Sequence, residues 1–164
     1  MRRSTALFHV NEDKTDQEIM KFAHQAERRS LCLDVVLCAA MPLPRVTAYG
    51  FMPYAPMNLP DNWTENLRKR HAEVKERCDE IGKLLDNTVI NGGVRQIACF
   101  ETDLAARIAE SARYGDRAFF ASNLRKDKTV FDKALHGVLF NSPIGTILNA
   151  TPRVARDHVM IAWD

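Results

Sequence analysis

Asp116-Arg-Ala-Phe-Phe-Ala-Ser-Asn-Leu-Arg-Lys-Asp-Lys-Thr-Val-Phe-Asp-Lys-Ala-Leu-His-Gly-Val-Leu-Phe-Asn-Ser-Pro-Ile-Gly-Thr-Ile-Leu-Asn-Ala150 is the stretch whose reading decides the fold. Arg117 to Ser122 is a short apolar run of strand length. Val130, Phe131, Ala134, Leu135, Val138 and Leu139 then recur at helical spacing, with Thr129 placed to cap the helix. Pro143 opens a second run with β-branched residues, a position a strand tolerates. Strand, helix and strand in so short a span make a βαβ unit with a right-handed crossover. Ligands of such units sit at the carboxyl ends of the strands, which directs the search for a site to the loop Ser122 to Lys128.

Outward from this unit the same alternation continues. Thr5 to Val10 reads as a strand and Asp16 to Arg29 as a helix facing inward with Ile19, Phe22, Ala23 and Ala26. Leu33 to Cys38 is almost continuously apolar, as expected of a strand buried on both faces of a parallel sheet. Asn62 to Asp86 is a long helix, capped by Asp61 or Asn62, whose stripe runs Trp63, Leu67, His71, Val74, Cys78, Ile81 and Leu85; His71 is expected to pack within it. Gly92-Gly93 leads into a strand from Val94 to Phe100. Glu101 to Asp103 is placed to cap a short helix, Leu104 to Tyr114, which Gly115 ends as its C′ residue. The expected fold is therefore α/β: a doubly wound, mainly parallel five-stranded sheet of order 3-2-1-4-5, with helices on both faces and an extra C-terminal strand. Residues 1–152 would form the domain and 153–164 a linker and assembly strand.

Met41 to Asp61 breaks the rhythm. Pro42, Pro44, Pro53, Pro56 and Pro60 forbid a helix or central strand through it. Tyr49, Phe51, Met52, Tyr54 and Met57 are nonetheless apolar for a loop, so the segment either packs on its own domain or offers a surface to a protein partner.

Composition bounds the function. A chain of 164 residues with a net charge of +2 has no strong electrostatic footprint for nucleic acid or membranes. No run reaches the roughly 18 apolar residues of a membrane span, and Met-Arg-Arg-Ser at the start has no signal core behind it; a cytoplasmic location is expected. Cys32, Cys38, Cys78 and Cys99 include no C-x-x-C pair and suggest buried thiols rather than a disulfide framework. There is no nucleophile elbow, no H-x-x-x-H and no clustered ligand set, so no catalytic residue and no metal site is expected. His9, at the end of the first strand, is a lone histidine of the kind that is usually structural.

The element order and several local strings resemble the universal stress protein family over nearly the whole chain. The strings are the long helix after a variable loop, the short helix ending at Tyr114-Gly-Asp-Arg117 before a strand, and Leu139-Phe-Asn-Ser-Pro-Ile-Gly-Thr-Ile147. The resemblance implies a dimeric protein of stress tolerance, from a family in which one branch binds ATP and another does not. The ATP-binding branch carries Gly-x2-Gly-x9-Gly-[Ser/Thr] after the fourth strand. Here the stretch is Ala121-Ser-Asn-Leu-Arg-Lys-Asp-Lys128, with no glycine before Gly137, and Asn11 stands where that branch carries an acidic residue after the first strand. Side chains with a Cβ would crowd a phosphate that backbone N–H groups should cradle. A non-enzymatic stress-response dimer without ATP or any other cofactor is therefore expected. The alternative is a sensor of nucleotide or a small anion using Asn11, Ser122, Asn123, Arg125, Lys126 and Lys128, the three cations supplying charge at a helix start.

The tail His158-Val-Met-Ile-Ala-Trp-Asp164 is apolar after its histidine. It resembles the chain's own first strand, Ala6 to Asn11, and the first strand of a second domain in tandem members of the family. A homodimer joined through the fifth strand and this tail is expected; the chain as the first half of a tandem protein, or a tail folded back on its own sheet, stay open.

Overall fold

The computed structural model describes residues 4–43, 61–88 and 91–150. The strands are β1 (Thr5–Val10), β2 (Cys32–Met41), β3 (Gly92–Phe100), β4 (Arg117–Ala121) and β5 (Gly145–Ala150). The helices are α1 (Asp16–Arg28), α2 (Trp63–Asp86), α3 (Glu101–Ala112) and α4 (Lys128–Asn141). The sheet has the order β3-β2-β1-β4-β5, and every pairing in it is parallel. The expected 3-2-1-4-5 order is thus present, and the sheet is wholly rather than mainly parallel. The expected extra strand falls in 151–164, outside the described residues, as does most of the Met41 to Asp61 segment.

Two apolar layers hold the sheet between its helices. On one face Ala6, Phe8 and Val10 of β1 join Val35 and Leu37 of β2 against Ile19 and Phe22 of α1 and Val74 and Ile81 of α2. On the other, Leu7, Val36 and Phe120 meet Leu104 and Ile108 of α3 and Val130, Ala134 and Val138 of α4. The period-2 alternation of the strands therefore serves both layers, which explains why β1, β2 and β4 read as unbroken apolar runs.

Local chemistry differs from the sequence reading at several ends. Asp127, not Thr129, caps α4, its carboxylate accepting from the Val130 N–H at 3.1 Å. Neither Asn62 nor the Glu101 to Asp103 run makes a side-chain cap. His71 is exposed rather than packed, because α2 buries only Val74, Cys78, Ile81 and Leu85, a narrower stripe further along the helix. Gly115 is required by packing and not by handedness: a Cβ there would lie 2.4 Å from Leu7 Cγ. The left-handed cap belongs to α1, where Ser30 has φ 54°. Leu31 N–H to the Ala26 carbonyl (3.0 Å) and Ser30 N–H to the Glu27 carbonyl (2.8 Å) complete a Schellman motif. The four cysteines are unpaired, and no helix among the described residues is long and apolar enough to cross a membrane.

Candidate functional site

In the order 3-2-1-4-5 the chain leaves β1 toward one edge of the sheet and returns through β4 toward the other. The segments that follow β1 and β4 therefore depart in opposite directions, which leaves a crevice at the carboxyl ends of the two strands. The β1–α1 turn supplies Asn11, Glu12 and Asp13, and the start of α4 supplies Lys126, Asp127, Lys128 and Thr129. With Arg70 of α2 these residues line a cleft of about 510 Å³. A wider hollow of about 650 Å³ adjoins it, sharing Arg70, Asp127 and Thr129 and adding Met41, Leu43, Asn66 and Lys69.

The crevice is bridged by its own side chains. Asn123 Nδ2 donates to Asn11 Oδ1 at 2.6 Å, joining the turn after β1 to the turn after β4. Asn11 Nδ2 in turn reaches Asp13 Oδ2 at 3.4 Å. Arg70 grips Glu12 with both guanidinium nitrogens, and Arg77 donates to the Lys14 carbonyl and to Asp16 Oδ1, each at 2.7 Å. Lys14 is buried beside Glu18, 2.9 Å away, and that hydrogen bond holds the Glu18 carboxyl below its usual range. The β1–α1 turn is thus clamped from α2 and from α1, with little freedom to open around a ligand.

Beneath the expected loop, Ser122–Lys126 winds into one 3₁₀ turn with Leu124 fully buried. The turn separates the candidates. Asn11, Lys126 and Lys128 line the cleft and Asn123 touches it through Asn11. Ser122 is exposed and does not line the cleft; Arg125 is turned away over the Phe131 ring, 5.5 Å from its centroid. Four charged lining residues escaped the sequence reading: Glu12, Asp13, Arg70 and Asp127. Arg70 and Arg77 lie seven apart on α2, and that spacing, which places both on one face, was the signal available for their shared role.

The electrostatics are balanced. Glu12, Asp13 and Asp127 face Arg70, Lys126 and Lys128 across the same cleft. Asp127 also occupies the α4 amino terminus, where a bound anion would otherwise meet free N–H groups. Cys38, at the edge of the cleft, donates to the Val36 carbonyl at 3.6 Å. Burial pushes its thiol well above the usual range, so it is neutral and no nucleophile. His9 lies fully buried with its ring stacked on Phe120, centroids 4.8 Å apart, and neither ring nitrogen has a hydrogen-bond partner among the described residues. Burial depresses it to about 4, the Phe119 backbone offsetting this in part. At neutral pH it is an uncharged part of the core. No cluster of three metal-ligating side chains occurs among the described residues.

No protein-family model matches the chain, and no curated protein matches it. Among solved structures it is similar to a protein of the universal stress protein family from Burkholderia pseudomallei, at 16% identity and a TM-score of 0.41, over 88% of this chain and 94% of that one. It is also similar to a universal stress protein in complex with cAMP, at 10% identity and a TM-score of 0.41, again over 88% and 94%.

Proposed function

We infer that this chain is a non-enzymatic protein of the stress-response type that works as a homodimer through protein contacts and does not bind ATP. The observation that carries the reading is the surface at the β5 end of the sheet. Phe140 is 74% exposed there, with Leu139, Ile147 and Leu148 also exposed. β5 is an edge strand whose outer side is unpaired among the described residues. Exposed apolar side chains beside an open edge invite another chain, and a subunit interface covers both. The tail His158 to Asp164 supplies a second apolar run for that interface, and Met41 to Asp61 offers a further protein-contact segment. The stress-response assignment is supported by the sequence strings quoted above.

The cleft argues in the same direction. Its turn has no glycine, Asp127 takes a free N–H of the α4 amino terminus and Asn11 bonds Asn123 across the cleft, and these features support a reading without a phosphate cradle. The second reading, a small-anion sensor, is favoured by Arg70, Lys126 and Lys128 but opposed by three carboxylates in the same space.

Light scattering tests the first reading: the full chain is expected to run as a dimer and Phe140→Lys as a monomer with an unchanged circular dichroism spectrum. A monomeric full chain, or a variant that stays dimeric, overturns it. Thermal melting tests the second. A ligand at a hundredfold excess over its dissociation constant stabilises by about 2.7 kcal/mol, so a saturable rise in Tm with millimolar ATP would show nucleotide binding, and none is expected.

A further inference from the structure

A second concavity lies away from the cleft, on the α3 side of β3. β3 contributes Arg95, Ile97 and Cys99, and α3 with its following turn contributes Arg107, Glu110, Ser111 and Tyr114; together they line an open groove of about 340 Å³. This is at the lower end of volumes that hold small organic ligands. Ile97 is a buried apolar floor, and Tyr114, an exposed aromatic, stands at the rim with Arg95 5.5 Å above its ring.

The polar groups around this floor include two guanidiniums, the Glu110 carboxylate and a hydroxyl. Arg95 pairs with Asp34 through Nη2 alone, and Arg107 pairs with Glu110 through Nη1 at 3.3 Å. A guanidinium carries five N–H donors, so each retains several without a partner among the described residues. Ser111 adds a hydroxyl that has no hydrogen-bond partner there either, on a residue only 9% exposed. A buried hydroxyl without a partner is uncommon and points to a group that the protein itself does not supply. Donor excess at the wall and an apolar floor suit one kind of molecule: a planar acceptor at one end and a small apolar body at the other.

We propose that the groove between β3 and α3 binds a small monocarboxylate with an aromatic or compact apolar body. Its carboxylate takes the spare donors of Arg95 and Arg107, and its body lies on Ile97 beside Cys99 and Tyr114. Guanidinium and carboxylate match in bidentate geometry, which favours this acid over a neutral amide of the same shape.

The test uses the full chain, with 4-fluorobenzoate as probe and 4-fluorobenzamide as its neutral counterpart. Fluorine NMR is expected to show saturable binding of the acid, at least tenfold tighter than of the amide. Backbone amide shifts are expected at Ile97, Ser111 and Tyr114. Arg107→Gln removes an exposed guanidinium without touching the core and is expected to weaken binding about tenfold. Ser111→Ala is expected to weaken it while leaving the melting temperature unlowered. The proposal is overturned if the acid shows no saturable binding up to 10 mM, if acid and amide bind alike, or if the shifts map to the β1–β4 cleft. It is equally overturned if Arg107→Gln binds as tightly as the parent.

Discussion

His9 shows how one side chain makes stability depend on pH. Its ring is sealed between β1 and β4 against Phe120, and burial lowers it from 6.5 to about 4. An unfolded chain accepts the proton below about pH 6.5, whereas the native state refuses it until about pH 4. Over that window the unfolded state holds more protons, so stability rises with pH; the contribution is complete above 6.5 and is lost as pH falls. The loss should amount to roughly 3 kcal/mol by pH 4. His9→Phe keeps the stack and removes the proton site, and should flatten urea-derived stability between pH 7 and 5. A variant that loses stability on acidification as steeply as the parent would show that other groups set the slope. The candidate residues were only partly legible at this scale. Asn11 and Asn123 stood out by position, but their mutual hydrogen bond joins residues more than a hundred apart in sequence. Local spacing cannot reveal such a partner.

At the scale of elements, two substitutions probe how helices are ended and packed. Ser30 holds the left-handed cap of α1 with a Cβ that this backbone disfavours. Ser30→Gly should raise the free energy of unfolding by about 0.5–1 kcal/mol, read as a higher urea midpoint at constant slope. Gly137 lies where α4 crosses α3, and a Cβ there would be 2.4 Å from the Ala105 carbonyl oxygen. Alanine favours an isolated helix by about 1 kcal/mol, yet the two backbones would have to part, and overpacking costs about 1–3 kcal/mol. Gly137→Ala is therefore expected to lower Tm; an unchanged or higher Tm would mean that the helices separate freely. The apolar periodicity of α4 made its helix legible. Nothing in that periodicity separates Val138, which is buried, from Leu139 and Phe140, which face outward.

For the whole molecule the decisive quantity is the number of chains. Ending the chain at Thr151 removes His158 to Asp164 and leaves β5 in place. If the tail contributes to the subunit interface, light scattering should show the mass of the truncated protein fall toward a monomer at concentrations where the full chain is dimeric. The same mass for both would show that the tail does not hold subunits together. In either case the truncated chain should retain its far-ultraviolet spectrum, since both core layers lie within residues 6–144.

The alternation of apolar strands and amphipathic helices was enough, by itself, to determine the layers, and right-handed crossovers left 3-2-1-4-5 among the few strand orders that cover both faces. Ser122 to Lys128 also contains no glycine, so every residue there carries a Cβ where a backbone phosphate cradle favours none. Only the tertiary structure decided what fills that space: Asp127 turned back onto α4, Arg70 brought across to Glu12, and Arg125 drawn away to Phe131. These contacts depend on charges that meet through space. Hydrophobic periodicity records which face of an element is buried, and carries no information about which charged side chain lies opposite it once the elements pack.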